Sequence, residues 1–186
     1  GVQLIVSDAH DGLQAALRAL FNGVRWQRCQ FHLQRNAQAY VPTKAMQAQL
    51  TQDIRDIFNA PNGDLARMRL TYYVEKYAES APALSEWMEA NLPEGLTVFE
   101  LPESHRKRMR TTNMLERLHE EINRRTRVAR LFPNEVSLLR LVSAIEMEIS
   151  EDWIAGRRYL NMSADNENVD KNVNSNKKRI YRKNVA

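Results

Sequence analysis

The sequence predicts an α/β chain that is mostly helical, and three observations carry that reading. A strand–loop–helix–strand pattern opens the chain, and helical periodicity dominates from about Leu33 to Ala90. Two more helical segments follow in the last third. Val2-Gln3-Leu4-Ile5-Val6 is a short β-rich run, followed by the turn-rich Ser7-Asp8-Ala9-His10-Asp11-Gly12. Leu13, Leu17, Leu20 and Phe21 then recur at helical spacing until Asn22-Gly23 stops the helix. Val24 through His32 reads as a second strand, so the unit predicts a parallel pair joined by a crossover helix.

Met46, Leu50, Ile54 and Ile57 mark an amphipathic helix that ends near Pro61-Asn62-Gly63. Leu65, Met68 and Tyr72 mark another, and Leu84, Trp87 and Met88 a third that stops at Pro93-Glu94-Gly95. Leu96-Thr97-Val98-Phe99 reads as a short strand or extended chain. Asn113 with Glu116 three residues on fits a capping box at a helix start. A last helix follows Pro133 and carries Leu138, Leu141, Val142 and Ile145 toward Trp153. Residues 161–186 contain seven asparagines and few apolar side chains, which predicts a disordered tail.

Composition narrows the class. The 186 residues are 43% hydrophobic and 27% charged, an ordinary globular balance with no membrane-length apolar run and no signal peptide. One cysteine excludes an internal disulfide and leaves a cytoplasmic location as the expectation. The net charge of +4 hides an uneven distribution. Residues 1–104 hold 9 basic and 12 acidic side chains, whereas 105–130 hold 9 basic and 3 acidic. Within that block Arg outnumbers Lys eight to one, which favours bidentate contacts to phosphate over generic solubility. A solvated charged face is the blander reading, and a nucleic-acid surface the sharper one.

Three sets of residues could carry chemistry. Asp8 directly follows the first strand, where open α/β sheets place ligand-binding groups, and a carboxylate there suits Mg²⁺. It also suits a turn or helix start, a role for which Asp11 is better placed. Cys29 and His32 form a C-x₂-H pair without the second pair that a four-ligand zinc site needs. The same two residues read equally as a buried thiol and a hydrogen-bonding histidine. Glu116 is either the cap of its own helix or a metal ligand projecting from it, within a ring of basic residues: Arg106, Lys107, Arg108, Arg110, Arg117, Arg124, Arg125, Arg127 and Arg130.

Taken in order, these pieces resemble the C-terminal part of a Mutator-type transposase of bacterial insertion sequences. The resemblance lies in Val6-Ser7-Asp8-Ala9-His10-Asp11-Gly12-Leu13, Cys29-Gln30-Phe31-His32-Leu33-Gln34-Arg35-Asn36 and Thr111-Thr112-Asn113-Met114-Leu115-Glu116-Arg117. It continues through Arg124-Arg125-Thr126-Arg127, Phe132-Pro133-Asn134-Glu135, Trp153 and Arg158-Tyr159-Leu160, covering residues 1–162. It implies a partial ribonuclease-H-like domain in 1–35 and an all-helical insertion in 36–104. The helix bearing the last acid and a C-terminal helix would lie in 105–160. Of the three acids of that family, Asp8 matches the second and Glu116 the third, while Cys29 and His32 match its C-x₂-H element. The first acid would lie upstream of Gly1, so the chain alone is expected to be catalytically inactive.

The resemblance further implies DNA transposition with Mg²⁺ or Mn²⁺ held by Asp8 and Glu116. Arg108, Arg110, Arg117, Arg124, Arg125 and Arg127 would meet the DNA backbone. The partners implied are insertion-sequence ends and target DNA, with a homo-oligomer when intact, no membrane, and a bacterial cytoplasmic location. The alternative function is a DNA-binding or interaction remnant that interferes with intact transposase.

Overall fold

The computed structural model describes residues 1–129 and 131–156. The expectations placed on Arg130, Arg158-Tyr159-Leu160 and the 161–186 tail lie outside the described residues. Among these, the chain is mostly helical with one two-stranded parallel sheet. It divides into two compact units, Gly1–Glu120 and Glu121 onward, with the boundary inside a helix.

The first unit opens as anticipated. Strand β1 (Leu4–Ser7), helix α1 (Asp11–Leu20) and strand β2 (Arg25–Arg28) form a parallel crossover unit. The register pairs Leu4 with Arg25 and Ser7 with Arg28. The chain leaves α1 and re-enters the sheet through Gly23 at φ 83°, a left-handed conformation that glycine adopts without a Cβ clash. Helix α1 buries none of its residues fully: Leu17 is half-buried, and Leu20 is 77% exposed.

The second strand is shorter than Val24–His32. Its last ladder bond runs from the Cys29 amide to the Ser7 carbonyl at 2.8 Å. The Gln30 amide turns away to the Arg110 carbonyl, and helix α2 occupies Gln30–Ala37. Helical spacing wins here because Leu33 and Ala37, one turn apart, both enter the helical core. His32 therefore stands in the first turn of a helix and not at a strand end.

A 3-10 turn at Gln38–Tyr40 leads into α3 (Lys44–Phe58), α4 (Gly63–Tyr77) and α5 (Pro82–Asn91). Asn62 caps α4, its Oδ1 accepting from the Leu65 amide at 2.9 Å, and Pro82 begins α5 where no amide donor is needed. Leu33, Leu50, Ile54, Ile57, Leu84 and Met88 are fully buried together. Asp53 is buried beside that core and accepts from Gln49 Nε2, Lys76 Nζ and the Tyr77 hydroxyl, which ties α3 to α4. Burial, then the bond to Asp53, pushes the Tyr77 phenol up.

Leu96–Phe99 is neither strand nor extended chain. It belongs to 3-10 turns at Leu92–Gly95 and Thr97–Glu100, held to the sheet by buried polar bonds. The Val98 amide donates to Gln27 Oε1 at 2.6 Å, and Gln30 Nε2 donates to the Gly95 carbonyl at 2.8 Å. Gly95 is packed so closely that a Cβ there would lie 2.6 Å from Leu33 Cδ1 and 3.0 Å from Phe58 Cε1. Helix α6 (Glu103–Met109) and helix α7 (Asn113–Ala129) follow, and α7 crosses the boundary between the units.

In the second unit, α8 (Glu135–Ala155) starts on Asn134, whose Oδ1 accepts from the Ser137 amide at 2.9 Å. Ile145 is its buried anchor. No helix among the described residues is long and apolar enough to cross a membrane.

Candidate functional site

The two parallel strands end side by side, and the chemistry-bearing residues of the first unit gather at their carboxyl ends. Asp8 follows β1 and Cys29 follows β2; the Cys29 amide bond to Ser7 places the two positions across the sheet end from one another. Asp8 is exposed, and its Oδ1 accepts from the Ala9 amide at 2.8 Å. His10 precedes α1 as its cap residue with no side-chain bond, and Asp11 is the first helical residue, so neither aspartate caps α1 through its carboxylate.

Glu116 reaches this end of the sheet from α7. Its backbone amide bonds to the Thr112 carbonyl at 3.0 Å, which makes Thr112 the residue that starts the helix. The capping box expected of Asn113 and Glu116 does not form. Instead the Thr112 hydroxyl donates to Glu116 Oε1 at 3.0 Å, and His32 Nε2 lies 3.6 Å from the same oxygen. Thr112 Oγ1 also lies 3.4 Å from Cys29 Sγ. A hydroxyl has one proton, so its donation to the carboxylate leaves its lone pairs facing the thiol. Cys29, Thr112, Glu116 and His32 thus form one polar chain, with Cys29 fully buried.

His32 Nδ1 is buried and has no hydrogen-bond partner among the described residues, and Nε2 is the nitrogen that meets Glu116. Among the described residues no three His, Cys, Asp or Glu side chains form a group that could hold a metal ion. In the C-x₂-H pair the buried thiol faces a threonine, and the histidine faces a glutamate. Oxygen donors of the type a hard divalent cation takes are present in Asp8, exposed after β1, and in Glu116, half-exposed on α7. Such an ion takes one or two protein carboxylates and completes its shell with water and phosphate.

The basic residues separate into distinct roles. Arg110 is partly buried: Nη1 donates to Asn59 Oδ1 at 2.8 Å, and its own carbonyl receives the Gln30 amide. Burial lowers its guanidinium from the ordinary value. Arg106 likewise donates to the carbonyls of Leu101 and Pro61. In the second unit Arg124 grips Glu121 at 2.7 and 2.8 Å, and Arg125 bonds Glu121 and, with two nitrogens, Glu148 of α8. The Arg124 and Arg125 bonds hold the Glu121 carboxyl well below the usual range, at about 2. Arg117 and Arg127 are exposed and make no ion pair among the described residues, and Arg108 is an exposed residue of α6.

Two contributors escaped the sequence reading. Thr112 is four residues before Glu116, a spacing that would have flagged it once the helix start was placed one residue earlier. Glu148 has no local signal, because its partner Arg125 lies on the preceding helix.

The description "Transposase, Mutator family" belongs to the family model that matches residues 1–156 of this chain. The chain is 48% identical to the transposase for insertion sequence element IS406 of Burkholderia multivorans, over 88% of this chain and 42% of that protein. It is 43% identical to the transposase for insertion sequence element ISRM5 of Rhizobium meliloti, over 87% of this chain and 40% of that protein. It is 34% identical to the transposase for IS256 in transposon Tn4001 of Staphylococcus aureus, over 87% of this chain and 42% of that protein. The chain thus spans about two fifths of the length of these curated relatives.

Proposed function

We propose, because the chain belongs to the Mutator family of transposases, that it is the part of an insertion-sequence transposase in which Asp8 and Glu116 act in DNA strand cleavage and joining. The observation that carries this reading is the meeting of Glu116 with His32 at 3.6 Å, at the sheet end where Asp8 also stands. A helix-borne carboxylate held beside residues from remote sequence just past a strand end is consistent with metal-assisted phosphoryl transfer. The parallel β1–α1–β2 unit supports a ribonuclease-H-like reading of 1–35, and the helical core of α3–α5 supports reading 36–104 as an insertion.

Asp8 and Glu116 would hold Mg²⁺ or Mn²⁺, whose chemistry when bound is to polarise the phosphate and activate the attacking oxygen. The chain's own residues do the rest. Thr112 donates to Glu116 Oε1 and restrains the carboxylate. His32 supplies a second contact to the same oxygen and resists its rotation. Arg117 and Arg127, whose guanidiniums are uncommitted among the described residues, take DNA phosphates directly. Arg124 and Arg125 exchange a carboxylate for a phosphate or serve to hold α7 against α8. We place the working protein in the bacterial cytoplasm as a homo-oligomer on insertion-sequence ends and target DNA.

The test is a fusion of this chain to the N-terminal region of the Burkholderia relative, assayed for Mg²⁺-dependent cleavage and joining of insertion-sequence ends. Activity that disappears in both Asp8→Asn and Glu116→Gln supports the assignment. Undiminished cleavage in either variant removes that residue from the chemistry.

A further inference from the structure

We propose that the groove between α2 and α3 binds an unpaired DNA nucleotide next to the site of cleavage, with Phe31 stacking on its base and Arg35 meeting its phosphate. This rests on the reading of the chain as part of a DNA transposase. The groove measures about 430 Å³ and is lined by Phe31, Gln34, Arg35, Gln38, Gln47 and Thr51. Phe31, Gln34, Arg35 and Gln38 recur at three- and four-residue spacing, so they share one face as α2 runs into its 3-10 turn. Phe31 is 51% exposed, a phenyl ring offered to solvent one position before a partly buried histidine.

The polar lining is selective in kind. Gln38 Nε2 donates to Thr51 Oγ1 at 3.0 Å, and Thr51 Oγ1 donates to the Gln47 carbonyl at 2.9 Å, which holds this carboxamide in place. The Gln34 and Gln47 carboxamides and the Arg35 guanidinium have no partner among the described residues. No carboxylate lines the groove, although residues 1–104 carry more acidic than basic side chains. An exposed aromatic face, free amides and one guanidinium without a competing acid suit a nucleotide: ring for base, amides for base edge, arginine for phosphate. A base inside a duplex has both faces covered by its neighbours, so the ring selects an unpaired one. The groove's place in the fold gives the register: the Phe31 ring packs edge-on against His32 at 5.5 Å, and His32 contacts Glu116.

The experiment compares two duplexes of one sequence, one blunt and one ending in three unpaired nucleotides that include 2-aminopurine. The protein is expected to bind the frayed duplex on the order of tenfold more tightly and to quench the 2-aminopurine on stacking. Phe31→Ala should abolish the preference and the quench while leaving blunt-duplex affinity unchanged, and Phe31→Trp should retain both. Arg35→Ala should lower frayed-duplex affinity and reduce its salt slope by about one. Far-UV circular dichroism checks that the variants are folded. Equal affinity for the two duplexes, or a preference that survives Phe31→Ala, overturns the nucleotide site and leaves DNA binding standing. Binding to neither duplex overturns both readings.

Discussion

His32 Nε2 lies 3.6 Å from Glu116 Oε1, joining the first turn of α2 to the first turn of α7. The two helices start within reach of one another because the backbone is latched there: the Gln30 amide donates to the Arg110 carbonyl at 2.9 Å. A side-chain contact built on a backbone latch has little freedom to drift, which suits the role proposed for Glu116.

Thr112 is expected to matter through Glu116. In the fusion protein, Thr112→Val should reduce strand cleavage by about 10–100-fold, the usual effect of removing a hydrogen bond behind a metal ligand. Thr112→Ser, which keeps the hydroxyl, should restore it. Titration with Mn²⁺ should show weakened metal affinity in the valine variant alone. Equal losses in both variants would mark Thr112 as a packing residue only.

The arginines should separate by salt dependence. Arg117→Ala and Arg127→Ala are each expected to lower the slope of log affinity against log salt by about one. Arg110→Ala should leave the slope unchanged and destabilise the fold, because its guanidinium bonds Asn59. Slopes measured by fluorescence anisotropy between low and moderate salt check this. An unaltered slope in the Arg117 and Arg127 variants would remove them from the DNA surface.

The Glu121 carboxylate sets a pH window. Its folded pKa of about 2 lies below the ordinary carboxylate value of 4.5, so its contribution to stability is present above that value. It is lost as pH falls toward 2 and both states become protonated. Thermal unfolding of Glu121→Gln should therefore occur at a lower temperature than that of the parent at pH 7, with the gap closing as pH drops. A gap that is constant from pH 7 to pH 2 would show that charge is not its source.

Asp53 tests the helical core. Asp53→Ala leaves the Tyr77 hydroxyl and Lys76 ammonium without their carboxylate and is expected to cost about 3 kcal/mol in urea unfolding. Gly95→Ala drives a methyl toward Leu33 and Phe58 and should cost about 1–3 kcal/mol. Near-parental stability in either variant would show that the neighbours relax.

The fold was legible wherever local pattern and burial agreed. Leu50, Ile54 and Ile57 mark α3 because a helix repeats its core face at short sequence spacing, whereas Leu13, Leu17 and Leu20 mark α1 by periodicity alone, with none of them fully buried. The pattern failed at Cys29–His32, where Trp26 and Phe31 mimic a strand that ends at Arg28. It failed again at Leu96–Phe99, whose conformation is set by the remote Gln27 side chain. For the candidate site, residue type and order single out Asp8, Cys29, His32 and Glu116, and the structure joins Cys29, His32 and Glu116 through Thr112.

By itself, then, the sequence determined which residues carry oxygen, sulfur and nitrogen donors, that the chain is mostly helical, and which family its motifs resemble. Only the tertiary structure decided that Glu116 faces Thr112 and His32 and does not cap its own helix, that Arg110 bonds Asn59, and that Glu148 engages Arg125. The physical reason is one of range. Helix periodicity is a local property of neighbouring dihedrals and side chains, whereas the partner of a charge or hydroxyl is chosen by what packing brings within about 3 Å.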